Sequence, residues 1–434
     1  MANVYIKTFG CALNQSDSET MVGVLEKEGH VVVSDEKNAD AVIINSCTVK
    51  DEAENKLYKE IRRHKNRRII IAGCVAQADR KLAETKLKDY SVIGTSQLSN
   101  IGTVLNDALL GKRSVLLDKP NKGKEERITL PRVRKNERVS IIPINEGCRG
   151  SCTFCKTKQA RGKLYSYRKK EIISEIKKSV ESGAKEVWLT SQDTGAYGLD
   201  IDDSLPRLLN EILKIEGDFM VRLGMCNPEY GVMYLKELKK ILKHEKMFRF
   251  IHLPLQSGSN CVLKGMKREY SKEEFLKVAR ELKKAIPDLT LATDIIVGFP
   301  GETEKDFEET MEVVRELEPD VINMSRFWKR PGTPAAKMKQ IDSKIIKQRS
   351  IRLRELFHKI SVERNKRWIG WSGRIIFEEE GKNDTLVGRN YAFKPIVVKK
   401  EKGLILNDES MVKITSSTMW DLRGEVIFRR LIRK

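Results

Sequence analysis

The sequence predicts a multidomain α/β protein: an N-terminal α/β domain of the Rossmann-like or flavodoxin-like type, a partial (β/α)6 barrel of the TIM type and a small C-terminal β-barrel. Three observations support this fold class. The length of 434 residues suits two to four domains. Apolar runs of strand length alternate with helical patterns through most of the chain. Beyond Trp368, short strands separated by turns replace this alternation.

The first domain is assigned to residues 1–113. Its predicted strands are Val4–Thr8, Val31–Val33, Ala41–Asn45 and Ile69–Ala72. The last two are continuous apolar runs, which are typical of a parallel sheet that is covered on both faces. A helix is predicted over Ser16–Lys27, with Ser16 as its N-cap and Glu19 completing a capping box.

A polar linker is assigned to residues 114–138 and a second alternating block to residues 139–336. The predicted strands of this block are Ser140–Asn145, Glu186–Thr190, Met220–Leu223, Phe250–Leu253, Leu291–Val297 and Val321–Met324. Helices are predicted between them, for example over Lys170–Ser182 and Lys272–Ala285. This alternation indicates a partial (β/α)6 barrel, in which function sits at the carboxyl ends of the strands. An open doubly wound sheet is the alternative, because periodicity alone does not exclude it.

The last part of the chain divides into a basic connecting helix, residues 337–367, and a small β-barrel, residues 368–434. One face of the helix carries apolar side chains at helical spacing, namely Ile346, Leu353, Phe357 and Ile360. The predicted barrel strands are Gly373–Glu378, Leu386–Gly388, Ile396–Lys399, Met411–Thr415 and Gly424–Leu431. A basic unit of short strands is typical of small barrels that bind nucleic acids.

The overall composition excludes several classes of protein. Hydrophobic residues make up 40% of the chain and charged residues 33%, with 12 Pro, which excludes a mostly disordered or collagen-like protein. The sequence has no apolar run of the roughly 18 residues that span a bilayer, and it does not open with a secretory leader pattern. We therefore expect a cytoplasmic protein with no membrane partner.

The formal charge of +21 points to a polyanionic partner, with nucleic acid as the first candidate. The charge is distributed unevenly, because residues 139–336 contribute only +3 whereas residues 337–434 contribute +12. A generally Lys-rich proteome would spread the excess more evenly. The distribution therefore favours a polyanion-binding surface at the C-terminal end.

The strongest local signal is a loop with three cysteines, Cys148, Cys152 and Cys155, directly after a predicted strand. A structural zinc ion usually takes four ligands in two separated pairs, and the sequence has no second CxxC pair. A disulfide is disfavoured in the cytoplasm and would leave one thiol over. Three thiolates around an iron–sulfur cluster fit the count and leave one iron open to bind a substrate.

A second set of cysteines is dispersed along the first domain. Cys11, Cys47 and Cys74 each follow a predicted strand. The carboxyl ends of parallel strands share one sheet edge, so the topology brings these residues together. One such cysteine alone is more often a small buried hydrophobe, but three at equivalent positions favour a second three-thiolate cluster. Cys226 and Cys261 have no thiol neighbour in sequence and are interpreted as small buried residues.

Taken together, these residues resemble the radical S-adenosylmethionine superfamily and, within it, the methylthiotransferase branch. The loop Cys148–Cys155 is similar to the cluster motif of the superfamily, and the dispersed cysteines are similar to those of the N-terminal domain of the branch. The resemblance extends over essentially the whole chain, and the C-terminal barrel is similar to the RNA-binding TRAM domain. Further motifs that carry it are Thr8–Asn14, Asn45–Val49, Ala72–Cys74, Leu189–Thr194, Leu255–Ser259, Gly298–Thr303 and Arg330–Pro334.

The stretch Lys156–Gly162 distinguishes members of this branch. Bacterial members typically carry a Pro-Tyr pair here, whereas the Lys-Thr-Lys of this chain resembles the archaeal and eukaryotic enzymes that modify N6-threonylcarbamoyladenosine in tRNA. The resemblance implies conversion of this nucleoside at position 37, in the anticodon stem-loop, to its 2-methylthio derivative. It also implies two 4Fe–4S clusters, S-adenosyl-L-methionine and an electron donor such as ferredoxin or flavodoxin.

The resemblance further implies roles for individual residues. Both cysteine sets are expected to be catalytic and to bind the clusters, with the dispersed set supplying sulfur across a domain interface. Cofactor contacts are expected from residues that follow barrel strands, namely Gln192, Asp193, Gln256, Ser257, Gly298, Phe299, Pro300 and Gly301. Lys156, Lys158 and Arg161 are expected to meet the threonyl carboxylate or tRNA phosphates. The alternative interpretation of these three is a solvated basic loop.

Two other functions stay open from the sequence. The first is a methylthiotransferase of the same branch that acts on isopentenyladenosine in tRNA or on a ribosomal-protein aspartate. The stretch Lys156–Lys158 argues against both substrates. A non-catalytic iron–sulfur RNA-binding protein would use its clusters as structural elements. Structural metal sites are usually fully ligated, whereas both cysteine sets here have three thiols, which favours an enzyme.

Overall fold

The computed structural model describes residues 1–48, 51–117 and 127–430, and the chain enters a parallel sheet from its first residues. The first domain contains β1 (Asn3–Thr8), α1 (Ala12–Lys27), β2 (Val31–Val32), β3 (Ala41–Ser46), α2 (Asp51–Arg63), β4 (Arg68–Gly73), α3 (Cys74–Ala78), α4 (Arg80–Thr85), β5 (Ser91–Ile93), α5 (Ile101–Leu109) and β6 (Val115–Leu116). The strands pair in parallel in the order β2-β1-β3-β4-β5-β6, with an apolar core on each face. This arrangement confirms the predicted Rossmann-like or flavodoxin-like domain.

Helix α1 differs from its prediction at the N-terminal end. It begins at Ala12 with Cys11 as N-cap, so the capping box predicted at Ser16 is wrong. The early start has a local cause, because Gly10 turns the chain out of β1 at φ +111°. The Asn14 side chain then donates two hydrogen bonds of 2.9 Å to carbonyls of the loops that follow β1 and β3, and these bonds fix the first turn.

The stretch assigned as a linker is partly built into the first domain. Strand β6 lies inside it and, like β5, is too short to show a sequence pattern. Residues 118–126 lie outside the described part of the chain. Beyond them, the backbone N–H of Lys135 donates a hydrogen bond of 3.2 Å to the buried Glu19 carboxylate, and the backbone at Pro131 packs directly on Gly23 of α1.

The middle domain contains β7 (Val139–Pro143), β8 (Asn145–Glu146), α6 (Thr157–Arg161), β9 (Tyr165–Ser166), α7 (Lys169–Glu181), β10 (Glu186–Thr190), α8 (Leu205–Leu213), β11 (Met220–Arg222), α9 (Pro228–Met233), α10 (Leu235–Ile241), β12 (Phe250–His252), α11 (Asn260–Gly265), α12 (Lys272–Ala285), β13 (Thr290–Val297), α13 (Glu304–Leu317) and β14 (Val321–Arg326). Two parallel sheets, β7-β10-β11 and β12-β13-β14, are joined by single bridges such as Val221 to Met247. The strands therefore follow chain order around an open barrel, which confirms the partial (β/α)6 barrel. The doubly wound alternative is wrong, because its strand order would reverse at a switch point.

A long helix, α14 (Ser343–Lys366), connects the middle domain to the C-terminal barrel. It begins later than predicted because Pro334–Lys337 form a separate 3-10 turn, and the Asp342 side chain caps the helix. Its apolar face is buried as predicted, with Leu353, Phe357 and Ile360 against the core.

The C-terminal domain is a closed β-barrel. It contains β15 (Ser372–Glu380), β16 (Thr385–Arg389), β17 (Pro395–Lys399), β18 (Glu409–Ser417) and β19 (Leu422–Arg430), in the order β15-β16-β17-β19-β18. Apolar side chains from each of these strands form its core. This closed sheet confirms the predicted small barrel and is consistent with a TRAM-like domain.

The C-terminal barrel packs against the ends at which the strands of the middle barrel begin. The Tyr391 carbonyl accepts a hydrogen bond of 2.8 Å from the backbone N–H of Arg249, just before β12. The Phe393 ring meets the Trp188 and Phe248 rings at centroid distances of 5.5 and 4.9 Å. A cavity of about 700 Å³ lies between the two barrels. The cysteine loops lie at the opposite ends of the strands, so this cavity is separate from the candidate active site.

A membrane crossing needs a long apolar helix, and none of the helices in the described ranges has that combination of length and hydropathy.

Candidate active site

Three thiols gather in the loop between β8 and α6. A Cβ atom added at Gly150 would lie 3.4 Å from the Sγ of Cys148 and 3.7 Å from that of Cys152, so the loop leaves a space between them. Backbone N–H groups point at the sulfurs: that of Gly150 donates to Cys148 at 3.3 Å, and that of Thr157 donates to Cys155 at 3.4 Å. Hydrogen bonds of this kind favour the thiolate form, which is the form that binds metal.

Arg268 is a neighbour of this loop that no sequence pattern marks. Its guanidinium donates a hydrogen bond of 3.0 Å to the Sγ of Cys152 and a second one to the side chain of Asn227. Asn227 in turn donates to the Asp193 carboxylate at 2.6 Å. The three side chains come from loops after α11, β11 and β10, so only the barrel closure brings them together. Groups of this kind orient metal ligands from behind.

The polar residues predicted after β10 lie beside the cysteine loop. The Gln192 side chain accepts a hydrogen bond of 2.7 Å from the backbone N–H of Gly147, next to Cys148. Asp193 is buried, and this burial, together with the nearby Glu229, raises the pKa of its carboxyl to about 7. Their role as cofactor contacts stays a prediction.

Gln256 and Ser257 differ in whether their side chains are available to hydrogen-bond a ligand. Gln256 adopts φ +65°, a left-handed conformation that is uncommon for a side chain of this size, and its backbone N–H donates to the Asp294 carbonyl at 2.7 Å. Its buried Oε1 has no hydrogen-bond partner among the described residues, so it is free for a ligand. The Ser257 hydroxyl is fully buried and faces Thr310 at 3.4 Å, inside the fold.

The segment Gly298–Gly301 follows β13 and packs onto the cysteine loop. The Phe299 ring meets Phe154, which lies between Cys152 and Cys155, at a centroid distance of 6.5 Å. Gly298 adopts φ +82°, and a Cβ there would clash with Ile346 at 2.5 Å, so only glycine fits. Pro300 is buried, whereas Gly301 is exposed with open space around it. The backbone of the segment is therefore open at Gly301.

The dispersed cysteines lie together at one edge of the N-terminal sheet. They follow the adjacent strands β1, β3 and β4, as the topology requires: Cys11 caps α1, Cys47 follows β3 and Cys74 begins α3. A Cβ at Gly10 would lie 2.9 Å from the Cys47 Sγ. Burial raises the pKa of the Cys74 thiol to about 11, and the charges of the two other cysteines act in the same direction. Cys11 is exposed, so this set opens to the outside on one side.

Both cysteine sets offer three thiols, the usual ligands of an iron–sulfur cluster. Within the described ranges, no three His, Cys, Asp or Glu side chains are close enough together to hold one metal ion. Cluster thiolates bind separate irons and stand further apart than the ligands of one ion. Three thiols in one short loop have the donor chemistry of an iron–sulfur cluster, and the second set has the same donor chemistry.

The two cysteine sets adjoin the interface between the first two domains. Helix α3, which begins at Cys74, packs against α6 of the cysteine loop. Lys156, just before α6, forms an ion pair of 3.1 Å with Asp79, the residue that follows α3. The Thr95 hydroxyl donates a hydrogen bond of 2.8 Å to the carbonyl of Ala160.

The basic residues of the cysteine loop are not a solvated patch. Arg161 is 1% exposed and donates hydrogen bonds to Asn14 at 2.9 Å and Asp17 at 2.5 Å. Lys156 is also buried, so the alternative interpretation of a solvated loop is wrong for both. Lys158 is half-buried, and its amine donates to two carbonyls of the loop.

The remaining cysteines behave differently from each other. Cys226 is fully buried after β11, as expected for a small core residue. Cys261 is exposed on α11, so its interpretation as a buried residue is wrong. A single cysteine carries no sequence signal that tells the exposed face of a short helix from the buried one.

Comparison with known proteins agrees with this geometry. The chain matches the family model described as uncharacterized protein family UPF0004 over residues 3–94 and that of the radical SAM superfamily over residues 142–314. A solved structure with the same fold is the radical S-adenosylmethionine methyltransferase TsrM from Kitasatospora setae, with a TM-score of 0.56 and 15% identity over 77% of each chain. Fold and site thus define a radical S-adenosylmethionine enzyme, a class that uses S-adenosylmethionine and a 4Fe–4S cluster.

Similar relatives narrow the class. Threonylcarbamoyladenosine tRNA methylthiotransferase of Danio rerio is 41% identical over 92% of this chain and 74% of its own length. The probable threonylcarbamoyladenosine tRNA methylthiotransferase of Pyrococcus abyssi is 36% identical over 98% of this chain and 100% of its own length. The chain belongs to the threonylcarbamoyladenosine tRNA methylthiotransferase family. This confirms the family and the class of enzyme that the sequence motifs predict.

Proposed function

We propose that this chain converts N6-threonylcarbamoyladenosine at position 37 of tRNA to its 2-methylthio derivative, with two 4Fe–4S clusters and S-adenosylmethionine. The observation that carries the proposal is the pair of three-thiol sets, which adjoin one domain interface where α3 packs against α6. A radical enzyme that only cleaves S-adenosylmethionine needs one cluster, and therefore only one such set of thiols. The dispersed set lies on the N-terminal domain, which is joined to the middle domain by buried contacts. This second set of thiols supports sulfur insertion.

The chemistry explains why both sets are needed. The C2–H bond of adenine is not acidic enough for base catalysis, so a radical must remove this hydrogen. A 4Fe–4S cluster, when bound, would supply the one electron that cleaves S-adenosylmethionine into methionine and a 5′-deoxyadenosyl radical. Cys148, Cys152 and Cys155 would hold that cluster, and Cys11, Cys47 and Cys74 the one that delivers sulfur. The electron comes from a donor such as ferredoxin or flavodoxin.

The protein's own residues would orient the cofactor and the substrate. The backbone at Gly301 is open to close approach, whereas the space at Gly298 is filled by Ile346 of α14. The unpartnered Oε1 of Gln256 offers an acceptor after β12. The buried Asp193 carboxylate after β10 already accepts hydrogen bonds from Gly195 and Asn227. Of the three basic residues predicted to meet substrate, Lys158 is the one that is only half-buried. Its amine donates hydrogen bonds to two loop carbonyls and forms no ion pair within the described ranges, so it can also contact substrate.

The direct test is mass spectrometry of tRNA nucleosides after anaerobic incubation of the reconstituted enzyme with S-adenosylmethionine and reductant. We expect a 2-methylthio product only from tRNA that carries N6-threonylcarbamoyladenosine. Unmodified transcripts and isopentenyladenosine tRNA serve as matched substrates that should stay unchanged. Product from isopentenyladenosine instead would contradict the proposal, and absence of 5′-deoxyadenosine would favour a binding protein. The cytoplasmic location expected from the sequence stays a prediction.

The basic helix offers a surface for tRNA phosphates. Lys344, Lys347 and Arg354 are exposed on the face of α14 opposite to its buried side. The N-terminal part of α14 packs on Gly298, next to the cysteine loop, through Ile346. RNA that enters the active site would therefore run beside these three side chains.

Replacing Lys344, Lys347 and Arg354 together by glutamine is expected to weaken tRNA binding and to flatten its salt dependence. Each phosphate contact contributes about 0.7–0.9 to the slope of log K against log salt, so the slope should fall by about 2. Fluorescence anisotropy at several salt concentrations measures it. The matched control replaces Lys170, Lys177 and Lys178, which are exposed on α7. An equal loss in both variants would rule out a specific surface on α14.

A further inference from the structure

Four charged side chains meet in the interior between the first two domains and form what we call the buried charge ring: Asp17, Arg127, Glu146 and Arg161. Their side chains are at most 4% exposed. Each comes from a different element, namely α1, the 3-10 turn that begins at residue 127, β8 and α6. Two cations balance two anions, so the ring is neutral as a whole. Buried charges are tolerated only when every partner is in place.

Each arginine of the ring holds both carboxylates. Arg161 Nη2 lies 2.5 Å from one oxygen of Asp17, and its Nη1 lies 3.5 Å from one oxygen of Glu146. Arg127 pairs with the other oxygen of each carboxylate. The Tyr167 hydroxyl donates a further hydrogen bond of 2.6 Å to Glu146. The ring is therefore closed, and moving one carboxylate disturbs both arginines.

The ring connects the two cysteine sets directly. Asp17 lies on α1, the helix whose N-cap is Cys11. Glu146 ends β8, two residues before Cys148. Arg161 ends α6, the helix that follows the cysteine loop. Each carboxylate thus belongs to the segment of one cysteine set, and the arginines tie the segments together.

We propose that Arg161 is a positioning residue, which sets the separation of the two cysteine sets by binding Asp17 and Glu146 with one guanidinium. This inference rests on the proposed function, because separation matters only if sulfur passes between the sets. A guanidinium is a rigid planar fork that can bind two carboxylates at fixed angles, whereas an ammonium is a point charge. Arg161→Lys therefore keeps the charge of the ring and loses its geometry.

The test compares Arg161→Lys with Arg364→Lys in the full-length, cluster-loaded enzyme. Arg364 is also a buried arginine paired with a carboxylate, that of Asp320, but it lies where the strands begin, away from the cysteines. We expect Arg161→Lys to keep the iron of the cysteine loop and to keep cleaving S-adenosylmethionine. The amount of 5′-deoxyadenosine formed per methylthio product should rise about 10-fold or more, because displacement of reacting groups by about 1 Å costs up to about 100-fold in rate. Arg364→Lys should leave this ratio unchanged.

A second measurement does not depend on turnover. Hydrogen exchange of the backbone amides in α1 and α6 should become faster in Arg161→Lys and not in Arg364→Lys, because only the first loosens the joint between the domains. Tyr167→Phe keeps all four charges and removes one hydrogen bond to Glu146, so it should raise the product ratio by about twofold. This milder variant decides the question if Arg161→Lys does not fold.

Two results would overturn the proposal. One is an unchanged product ratio and unchanged exchange in Arg161→Lys or, if that variant does not fold, an unchanged ratio in Tyr167→Phe. The other is an equal rise of the ratio in Arg364→Lys, which would indicate general destabilisation. A wild-type enzyme that makes no methylthio product would contradict the proposed function instead. The exchange comparison would then still show whether the ring holds the two segments together.

Discussion

Replacing Cys11, Cys47 and Cys74 together by alanine is expected to abolish methylthiolation while 5′-deoxyadenosine formation continues. These thiols lie on the N-terminal sheet edge, and the cysteine loop that would hold the other cluster belongs to a separate domain with its own hydrogen bonds. Losing the sulfur source therefore leaves the radical step intact. The iron content should fall from about eight atoms per chain to about four, since each four-iron cluster is held by one set.

Anaerobic iron and sulfide analysis measures the cluster count, and chromatography measures 5′-deoxyadenosine and modified nucleosides in the same sample. Cys261→Ala is the matched control, because this cysteine is exposed on α11 and belongs to neither set. The reciprocal variant, with Cys148, Cys152 and Cys155 replaced, should lose both activities. Unchanged iron in the first triple variant would mean that the dispersed cysteines hold no cluster.

Local pattern was enough to predict the sheet edge on which this experiment depends. The apolar runs ending near Asn45 and Ala72 are strands because β-branched residues fill a sheet that is covered on both faces. Parallel pairing then forces the residues that follow these strands to one edge. Cys47 and Cys74 could therefore be placed at the same sheet edge, although they are far apart in the sequence. In the structure, the Ser46 hydroxyl beside Cys47 donates a hydrogen bond of 2.6 Å to the carbonyl of Ala72, 26 positions further along the chain.

The partners of buried charges could not be predicted in this way. Arg161 and Asp17 are 144 positions apart, and nothing in the sequence near either residue tells which carboxylate an arginine will meet. The basic stretch that contains Arg161 instead predicted contacts with substrate, with a solvated loop as the alternative. Ion-pair partners are chosen when domains dock, so they depend on the closed tertiary structure rather than on spacing along one element.

The net charge counted from the sequence also does not tell which charged side chains are paired inside the protein. The basic helix predicts a tRNA-binding surface, but part of its charge is used inside the protein. Arg349 pairs with Glu302 at 2.8 Å, and Arg364 pairs with Asp320 at 2.8 Å, both largely buried. Summed charge does not distinguish these arginines from exposed ones, and only the remaining side chains of α14 are available to RNA.

Asp320→Asn is expected to lower the free energy of unfolding by about 3–5 kcal/mol, because it leaves two buried cations without their shared anion. Asp320 lies before β14 and pairs with Arg364 of α14 at 2.8 Å and with Lys394 of the C-terminal barrel at 2.9 Å. Burial lowers the pKa of the Lys394 amine even with Asp320 beside it. One carboxylate thus joins three parts of the molecule.

The pH dependence of this contribution has a definite sign. Burial alone would raise the pKa of the Asp320 carboxyl, but Lys394 and Arg364 outweigh it and hold the pKa below its ordinary value. The ionised carboxylate is therefore favoured more by the folded state than by the unfolded chain. Its contribution is complete above the unfolded value of about 3.9 and is lost as the pH falls through the lower folded value.

Asp218→Asn provides the matched control at the same domain junction. Asp218 pairs with Lys185 at 3.1 Å and with Arg374 of the C-terminal barrel at 2.6 Å, but its side chain is 59% exposed. Water and salt screen such a pair, so its loss should cost at most about 1 kcal/mol. Urea titration at pH 7 measures both variants. Equal losses would mean that the buried cations are relieved by deprotonation or by water, and that Asp320 does not clamp the barrel to the core.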